Sequence, residues 1–180
     1  MKVFIAGARA VPSLNESIQE RLNNIYSKKY TVLVGDASGV DSAVQKYYFD
    51  RDYQNVVVYA SEGKARNNIG NWDVRKVDVP TRSRGFNYYA VKDKAMADDA
   101  DYGFMIWNGE SRGTLTNIVN LLNLEKKSIV YHTENGLFYS IDNLDDLQSL
   151  ITKCGQTAQE LFDKVCKTSG LKSFQQVSLF

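Results

Sequence analysis

The sequence predicts an α/β fold, a Rossmann-like three-layer sandwich with a mostly parallel central sheet between two layers of helices. Three observations support this prediction. Short apolar runs alternate with amphipathic segments, most of the runs end in glycine or small polar residues, and the 180 residues suit one domain with one core. Strands that are apolar throughout are typical of parallel sheets covered on both faces.

The first third of the chain predicts strand, helix, strand, helix, strand. The apolar runs "KVFIAG" (2–7), "TVLVG" (31–35) and "NVVVYA" (55–60) are the strands. Between the first two, apolar residues share one helix face at spacings of three and four: Leu14, Ile18, Leu22 and Ile25. Ser13 is the expected N-cap of this helix, with Glu16 completing a capping-box spacing.

A polar segment, residues 61–85, interrupts this alternation. It contains one short predicted strand around "VRKVDV" and several arginines, which suit either an anion clamp or a solvated loop. Unstructured segments of this length in a compact domain are usually functional or mobile. A helix (86–100), a strand (102–107) and a helix (111–126) follow, and then a strand pair around Asn135-Gly136.

The domain prediction is one α/β domain over residues 1–180, with a C-terminal helical extension at 143–180 packed on it. Two helices are expected there, at 143–153 and 157–168. The last dozen residues, "SGLKSFQQVSLF", are too apolar for a free tail. We expect them to dock on the domain or on a second subunit, which leaves a homo-oligomer open.

The composition excludes several classes of function. The net charge of +1 lacks the basic excess of a duplex-DNA-binding protein, so nucleic acid is not an expected partner. One histidine and two cysteines are too few for a structural zinc site, and we predict neither a metal nor a cofactor. No apolar run approaches the roughly 20 residues of a membrane helix. The first residues do not resemble a signal peptide, so the expected location is cytoplasmic.

Three predicted strand-to-helix turns share one chemistry. They are "GARAVPS", "GDASGVD" and "NGESRGT", each combining glycine with serine, aspartate or threonine. Turns of this kind meet at the carboxyl edge of a parallel sheet, where helix N-termini present free N–H groups to anions. The candidate ligand-binding residues are Gly7, Arg9, Gly35, Asp36, Gly39, Asp41, Lys92, Asn108, Gly109, Ser111, Gly113, Thr114 and Asn117.

Each residue type has a stated role in this prediction. Gly39 and Gly113 would let the backbone approach a ligand closely, and Ser111 and Thr114 would add hydroxyl donors. Asp36 and Asp41 would suit ribose hydroxyls. For any single turn the same residues are also ordinary turn chemistry. The dinucleotide fingerprint G-x-G-x-x-G and the P-loop pattern are both missing from the sequence, which excludes the standard forms of those sites.

Three stretches resemble the SLOG superfamily: "VLVGDASGVDSAVQ", "AVKDKAMADDADYGFMIWNGESRGTLTNI" and "KKSIVY". That group includes the LOG phosphoribohydrolases, the DNA-processing protein DprA and many uncharacterised Rossmann-like proteins. The motif that carries the resemblance is Lys92, Met96, the strand 102–107 and Gly113-Thr114. The resemblance implies that the Gly-Thr turn cradles the phosphate of a nucleotide-derived ligand.

The sequence also departs from the LOG pattern. LOG enzymes carry P-G-G-x-G-T-x-x-E, whose glutamate acts in cleaving an N-glycosidic bond, whereas Asn117 stands at that position here. Lys92 replaces the arginine of the pattern, which exchanges a bidentate fork for a point charge. The resemblance therefore implies an uncharacterised branch. Asp36, Asp41 and Asp93 are the candidate catalytic carboxylates in place of the glutamate.

Three functions follow from these observations. The leading hypothesis is the binding of a nucleotide or a nucleotide-derived small molecule at the C-terminal edge of the sheet. The alternative is a hydrolase or transferase acting on the N-glycosidic bond of a nucleoside, nucleotide or NAD-like substrate. The third is an oligomeric interaction protein without a small-molecule ligand.

Overall fold

The computed structural model of the chain describes residues 1–169. Its strands are β1 (Lys2–Gly7), β2 (Thr31–Val34), β3 (Val56–Ser61), β4 (Asp73–Val77), β5 (Tyr102–Trp107), β6 (Ser128–His132) and β7 (Leu137–Ile141). Its helices are α1 (Glu16–Ser27), α2 (Val40–Phe49), α3 (Phe86–Asp99), α4 (Arg112–Asn123), α5 (Leu144–Lys153) and α6 (Gln156–Ser169).

The seven strands form one sheet in the order β4-β3-β2-β1-β5-β6-β7. All neighbouring pairs are parallel except β6 and β7, which are antiparallel. The predicted α/β fold with a mostly parallel central sheet is therefore confirmed. From β1 the chain winds outward through β2 to β4, and then returns to place β5 on the other side of β1. The carboxyl ends of β1 and β5 thus form the topological switch point, where ligands bind in open α/β sheets.

Two hydrophobic cores hold the helices on the two faces of the sheet. On one face α1 and α2 pack through residues such as Ile18, Leu22 and Val44. On the other face α3, α4, α5 and α6 share a larger core that includes Met96, Leu115, Ile118, Leu147 and Phe162. Because both faces are covered, the central strands are buried almost throughout, which explains their uninterrupted apolar sequences.

The ends of the elements differ from the prediction in a few places. The N-cap of α1 is Asn15 rather than Ser13, since the Asn15 side chain accepts a hydrogen bond from the Ile18 N–H at 3.0 Å. The segment between β3 and β4 is held down by Trp72, whose indole N–H donates to the Tyr53 carbonyl at 2.8 Å. Part of the polar segment is therefore an anchored connection.

Of the C-terminal helices, α5 packs against β7 and α6 packs against α4 and α5, with buried residues such as Leu150 and Val165 in the shared core. Asn143 and Asp146 form a capping box at the start of α5. Residues 170–180, which include most of the predicted docking segment, lie outside the described part of the chain. No helix within residues 1–169 is long and apolar enough to cross a membrane.

Candidate functional site

A cavity of about 550 Å³ opens at the topological switch point between β1 and β5. Three segments build it: residues 6–10 after β1, the first half of α3 after Gly85, and residues 108–117 around the start of α4. Ala37 and Asp41 contribute from the β2–α2 turn. The cavity lies where ligand sites of open parallel sheets are found, and its volume suits a small organic molecule.

Most of the predicted ligand-binding residues line this cavity: Gly7, Arg9, Asp41, Lys92, Asn108, Ser111, Gly113, Thr114 and Asn117. The others do not line it: Gly35, Asp36, Gly39 and Gly109. Among the candidate catalytic carboxylates, Asp41 and Asp93 line the cavity and Asp36 does not.

The β5–α4 turn presents unused donors to the cavity. Ser111 caps α4: its hydroxyl accepts from the Thr114 hydroxyl at 2.9 Å and from the Thr114 N–H at 3.4 Å. Asn108 accepts from the Ser111 N–H at 2.9 Å. Within residues 1–169, the N–H groups of Arg112 and Gly113 have no acceptor. They lie at the positive end of the helix dipole, where anions are stabilised.

Gly113 leaves this turn open, since a Cβ atom at residue 113 would meet no heavy atom within 4 Å. The buried indole of Trp107 fixes the turn from below, because its N–H donates to the Ser111 carbonyl at 3.1 Å. The turn is thus rigid on the protein side and unobstructed on the other. Both properties suit a preorganised binding surface.

The β2–α2 turn uses its own polar groups. The Ala37 N–H donates to the Asp41 carboxylate at 3.1 Å, and the Val40 N–H donates to the Ala8 carbonyl at 3.4 Å. Gly39 has a φ of 77°, and a Cβ atom there would collide with the backbone of Arg9. Gly39 therefore has a different role from the one predicted, since it admits the chain's own β1–α1 turn.

Asp36 is committed to Arg66, a residue of the segment between β3 and β4. Its carboxylate accepts from the Arg66 Nη2 at 2.7 Å, the Arg66 Nε at 3.1 Å and the Arg66 backbone N–H at 3.1 Å. Burial alone would raise the pKa of Asp36, but these hydrogen bonds and the charges of Lys92 and Arg66 hold it below its usual value. Both oxygens accept hydrogen bonds from Arg66, and the roles of Asp36 in ribose binding and catalysis stay predictions.

Lys92 is buried, with only 4% of its surface exposed, and faces carboxylates. Its Nζ lies 2.8 Å from Asp93 Oδ1 and 3.9 Å from Asp36 Oδ1. A Cβ atom at Gly35 would crowd both the Asp41 carboxylate and the Lys92 Nζ, so glycine makes room for this cluster. Burial opposes the charged form of Lys92, but Asp93 and Asp41 raise its pKa above the usual value. Its charge is already balanced without a phosphate.

The pKa of Asp41 is raised in this cluster. Desolvation raises the pKa of its fully buried carboxyl to about 6, and the nearby charge of Asp93 adds to the rise although Lys92 opposes it. A carboxyl that titrates near neutrality and lines a cavity is a candidate for proton transfer. Within the described residues no three His, Cys, Asp or Glu side chains are grouped to hold a metal ion.

Two aromatic residues at the start of α3, Phe86 and Tyr89, also line the cavity, and sequence reasoning missed them. The Arg112 guanidinium lies 4.2 Å from the Phe86 ring centroid. Arg9 and Arg66 lie 5.2 Å and 4.7 Å from the Tyr89 ring centroid. The available signal was their spacing of three at a helix start, which puts both rings on one face.

Asn117 lines the cavity with an unused acceptor. The residue is 3% exposed, and its Oδ1 has no hydrogen-bond partner within the described part of the chain. His132 is also buried with both ring nitrogens unpaired among residues 1–169, and it packs edge-on against Trp107 outside the cavity. Because buried polar atoms are normally paired, the Asn117 oxygen points to a donor that the ligand supplies.

Comparison with known proteins extends this description. No family model matches the sequence, and no curated protein is significantly similar to it. This chain is similar, with a TM-score of 0.57, to a solved structure of DNA processing protein A from Helicobacter pylori. That structure describes the unique single-stranded DNA binding mode of its protein. The match covers 93% of this chain and 81% of the other at 12% identity. At this identity the likeness shows a shared fold.

This comparison corrects the expectation that nucleic acid is not a partner. A protein with the same fold binds single-stranded DNA, so that expectation, drawn from a near-neutral net charge, is wrong. A charge count sums the whole chain and misses its distribution. Asp36, Asp41 and Asp93 are engaged around Lys92 and Arg66, whereas Arg9 at the cavity has no carboxylate partner within residues 1–169.

Proposed function

We propose that the protein binds a nucleotide in this cavity, with the phosphate on the first turn of α4. The observation that carries the proposal is the pair of free N–H groups at Arg112 and Gly113, which lie at the positive end of a helix dipole beside the cavity. Arg9 and Arg112 add exposed guanidinium groups that can hydrogen-bond phosphate oxygens in a bidentate manner.

The carboxylates and Asn117 orient the ligand. Asp41, Asp93 and the Asn117 oxygen are acceptors that line the same cavity. They suit sugar hydroxyls or an amino group and repel a phosphate. Lys92 does not reverse this preference, because its charge is shared among carboxylates. The phosphate therefore belongs at α4, and donor groups of the ligand belong near Asn117.

The finer family assignment is part of the proposal. We place the chain in a branch of the SLOG superfamily separate from the LOG phosphoribohydrolases. The fold likeness to DNA processing protein A and the Gly113-Thr114 turn at the cavity support it. The neutral amide of Asn117 separates the chain from the phosphoribohydrolases, because an amide cannot act as a carboxylate base.

The test is a calorimetric titration of the wild type and the Gly113→Val variant with 2′-deoxyadenosine 5′-monophosphate (dAMP). We expect the valine to cover the free N–H groups and to weaken binding at least about tenfold. The melting temperature of the variant without ligand should not fall, because the position has open space. Gly63→Val, also at a glycine with open space but away from the cavity, is the control. Undiminished affinity in folded Gly113→Val would sink the placement.

A second candidate function is the binding of single-stranded DNA, which the similarity to DNA processing protein A favours. Arginine–aromatic pairs at the cavity, Arg112 with Phe86 and Arg9 with Tyr89, are the kind of surface that holds unpaired bases. Titration with a short oligodeoxynucleotide tests this candidate. Affinity well above that for dAMP, with a steep salt dependence and competition by dAMP, would favour it. Equal affinities would favour the mononucleotide.

Turnover is tested in the same mixtures by chromatography. Released base would support the N-glycosidic alternative, for which Asp41 and Asp93 are the cavity-lining carboxylates. In that case we expect either Asp41→Asn or Asp93→Asn to abolish release while dAMP still binds. Intact nucleotide in every mixture would leave a binding function alone.

A further inference from the structure

The first two turns of α3 form an aromatic wall of the cavity, defined by Phe86 and Tyr89. Both rings carry guanidinium groups at cation–π distance, 4.2 Å for Arg112 on Phe86 and 4.7 Å for Arg66 on Tyr89. Planar rings flanked by arginines are the surfaces on which proteins stack nucleobases. The anion site at α4 does not need such a wall, so the wall has a separate purpose.

This part of α3 has few anchors of its own. Gly85 precedes the helix with a φ of 57° and gives no side-chain cap, and Phe86 is 36% exposed. The first fully buried residue of the helix is Lys92. The position of Tyr89 therefore depends on contacts from outside the helix.

Arg66 and Arg9 both supply outside contacts to Tyr89, and Arg66 is the nearer of the two. One side of its guanidinium is fixed by the bidentate ion pair with Asp36, which is itself 3% exposed in the β2–α2 turn. The same guanidinium lies 4.7 Å from the Tyr89 ring centroid. Arg66 thus connects a rigid buried carboxylate to the aromatic wall. Arg66 does not itself line the cavity.

We infer that the aromatic wall is the part of the site that recognises the nucleobase, and that Arg66 is the positioning residue that holds Tyr89 for it. This inference rests on the proposed function. It goes beyond it by requiring an aromatic base in the ligand, so that a bare sugar phosphate is a poor ligand.

The test uses two ligands that differ by the base alone, dAMP and 2-deoxyribose 5-phosphate. For the wild type we expect dAMP to bind at least about fivefold more tightly, since stacking on aromatic residues contributes that much per base. Arg66→Gln should weaken the affinity for dAMP by about three- to tenfold and leave the affinity for 2-deoxyribose 5-phosphate unchanged. Tyr89→Leu should do the same, and the double variant should lose no more than either single one.

A matched control is available in Arg75, which pairs with Asp99 at 3.0 Å and lies over the Tyr59 ring away from the cavity. Arg75→Gln should change neither affinity. Arg66→Lys, which keeps the charge but loses the fork, should restore part of the dAMP affinity. If Arg66→Gln weakened the affinity for both ligands, the effect of the substitution would be a general structural one, and this would overturn the positioning role.

Hydrogen exchange provides a readout that needs no ligand. Backbone amides of residues 86–91 should exchange faster in Arg66→Gln than in the wild type, while those of α4 stay unchanged. Unchanged exchange at 86–91 would overturn the positioning role. Equal affinity of the wild type for dAMP and 2-deoxyribose 5-phosphate would overturn base recognition but would still be consistent with an anion site at α4. Failure of both ligands to bind would instead overturn the proposed function.

Discussion

The β2–α2 and β5–α4 turns have similar sequences and different surroundings. "GDASGVD" and "NGESRGT" both follow a central strand and precede a helix. In the first, Asp36 binds Arg66, Asp41 binds the Ala37 N–H, and Gly39 packs on backbone. Each helix start leaves two N–H groups without an acceptor within the described residues, Asp41 and Ser42 in the first turn and Arg112 and Gly113 in the second, but Gly113 faces open space.

The difference shows what decides whether a helix N-terminus is free to bind an anion. Glycine and serine occur in both turns and do not separate them. The surroundings do: in the β2–α2 turn the Asp41 carboxylate accepts from the Ala37 N–H and the Arg9 backbone lies against Gly39, whereas no heavy atom covers Gly113. Thr114 and Asn117 line the cavity beside the open turn. Four predictions test this contrast, in order of decreasing effect.

The largest effect is expected from Gly39→Ala. The new Cβ would collide with the Arg9 backbone, and the φ of 77° is unfavourable for any L side chain. We expect a loss of about 4 kcal/mol in the free energy of unfolding, or no folded protein. Urea denaturation followed by circular dichroism measures it. A loss below about 1 kcal/mol would show that the β2–α2 turn can move aside.

Lys92→Met should follow, because it removes the cation that three carboxylates share. Breaking a buried ion pair by removing one partner costs about 3–5 kcal/mol. Arg9→Met is the matched variant at the open side, where the exposed arginine has no carboxylate partner in the described chain. Its unfolding free energy should change by less than about 0.5 kcal/mol. Similar losses of unfolding free energy in Lys92→Met and Arg9→Met would show that the two basic residues do not differ in their role in stability.

Asp41→Asn should change the pH dependence of stability. The folded pKa of about 6 exceeds the ordinary aspartate value of 3.8, so the native state binds more protons between these values. The contribution of Asp41 to the free energy of unfolding therefore falls by about 3 kcal/mol as the pH rises from 3.8 to about 6, and then levels off.

The asparagine variant cannot titrate at this position. The unfolding free energy of the wild type minus that of Asp41→Asn should therefore fall between pH 4 and pH 7. Asp36 has a lowered pKa, so its contribution to stability is lost when the pH falls below the usual aspartate value. Asp36 is present in both proteins, and this contribution cancels in the difference. A difference that stays constant across this range would place the Asp41 pKa near its ordinary value.

The smallest effect is expected from Gly113→Ala. The added methyl group meets nothing within 4 Å, and alanine favours the first turn of a helix over glycine. The unfolding free energy should rise by about 0.5 kcal/mol. Thermal unfolding beside the Gly39→Ala variant measures the contrast directly. A clear destabilisation would mean that the open turn is packed after all.

The sheet was predictable because its strands are buried on both faces. Runs such as "VFIAG" and "GFMIW" have no polar residue to mark a solvent face, and the chain between them is long enough for helical crossovers. The position of the cavity followed from the same reasoning, since parallel strands end at one edge. Local sequence was sufficient for these features because each depends on neighbouring residues or on a simple period.

The state of each turn was not predictable from its own residues. Asp36 is neutralised by Arg66, thirty residues later and inside a segment without a hydrophobic period. Lys92 and Asp93 look like a solvated pair in the sequence, yet Lys92 is buried and also faces Asp36 of the β2–α2 turn. Such contacts depend on how distant segments fold together. The aromatic wall was missed for the same reason.

The place of β1 in the middle of the sheet has a consequence for biosynthesis. Its partner β5 pairs through Val3 and Tyr102, so β1 leaves the ribosome roughly a hundred residues before β5, a delay of about 5–20 s at ordinary elongation rates. During that time the edge of "VFIA" that later pairs with β5 is unprotected, and it stays so after β4 completes the first half of the sheet. Such an edge pairs readily with other chains. The nascent N-terminal half is therefore where a chaperone is most needed, and the cavity cannot form until β5 closes that edge.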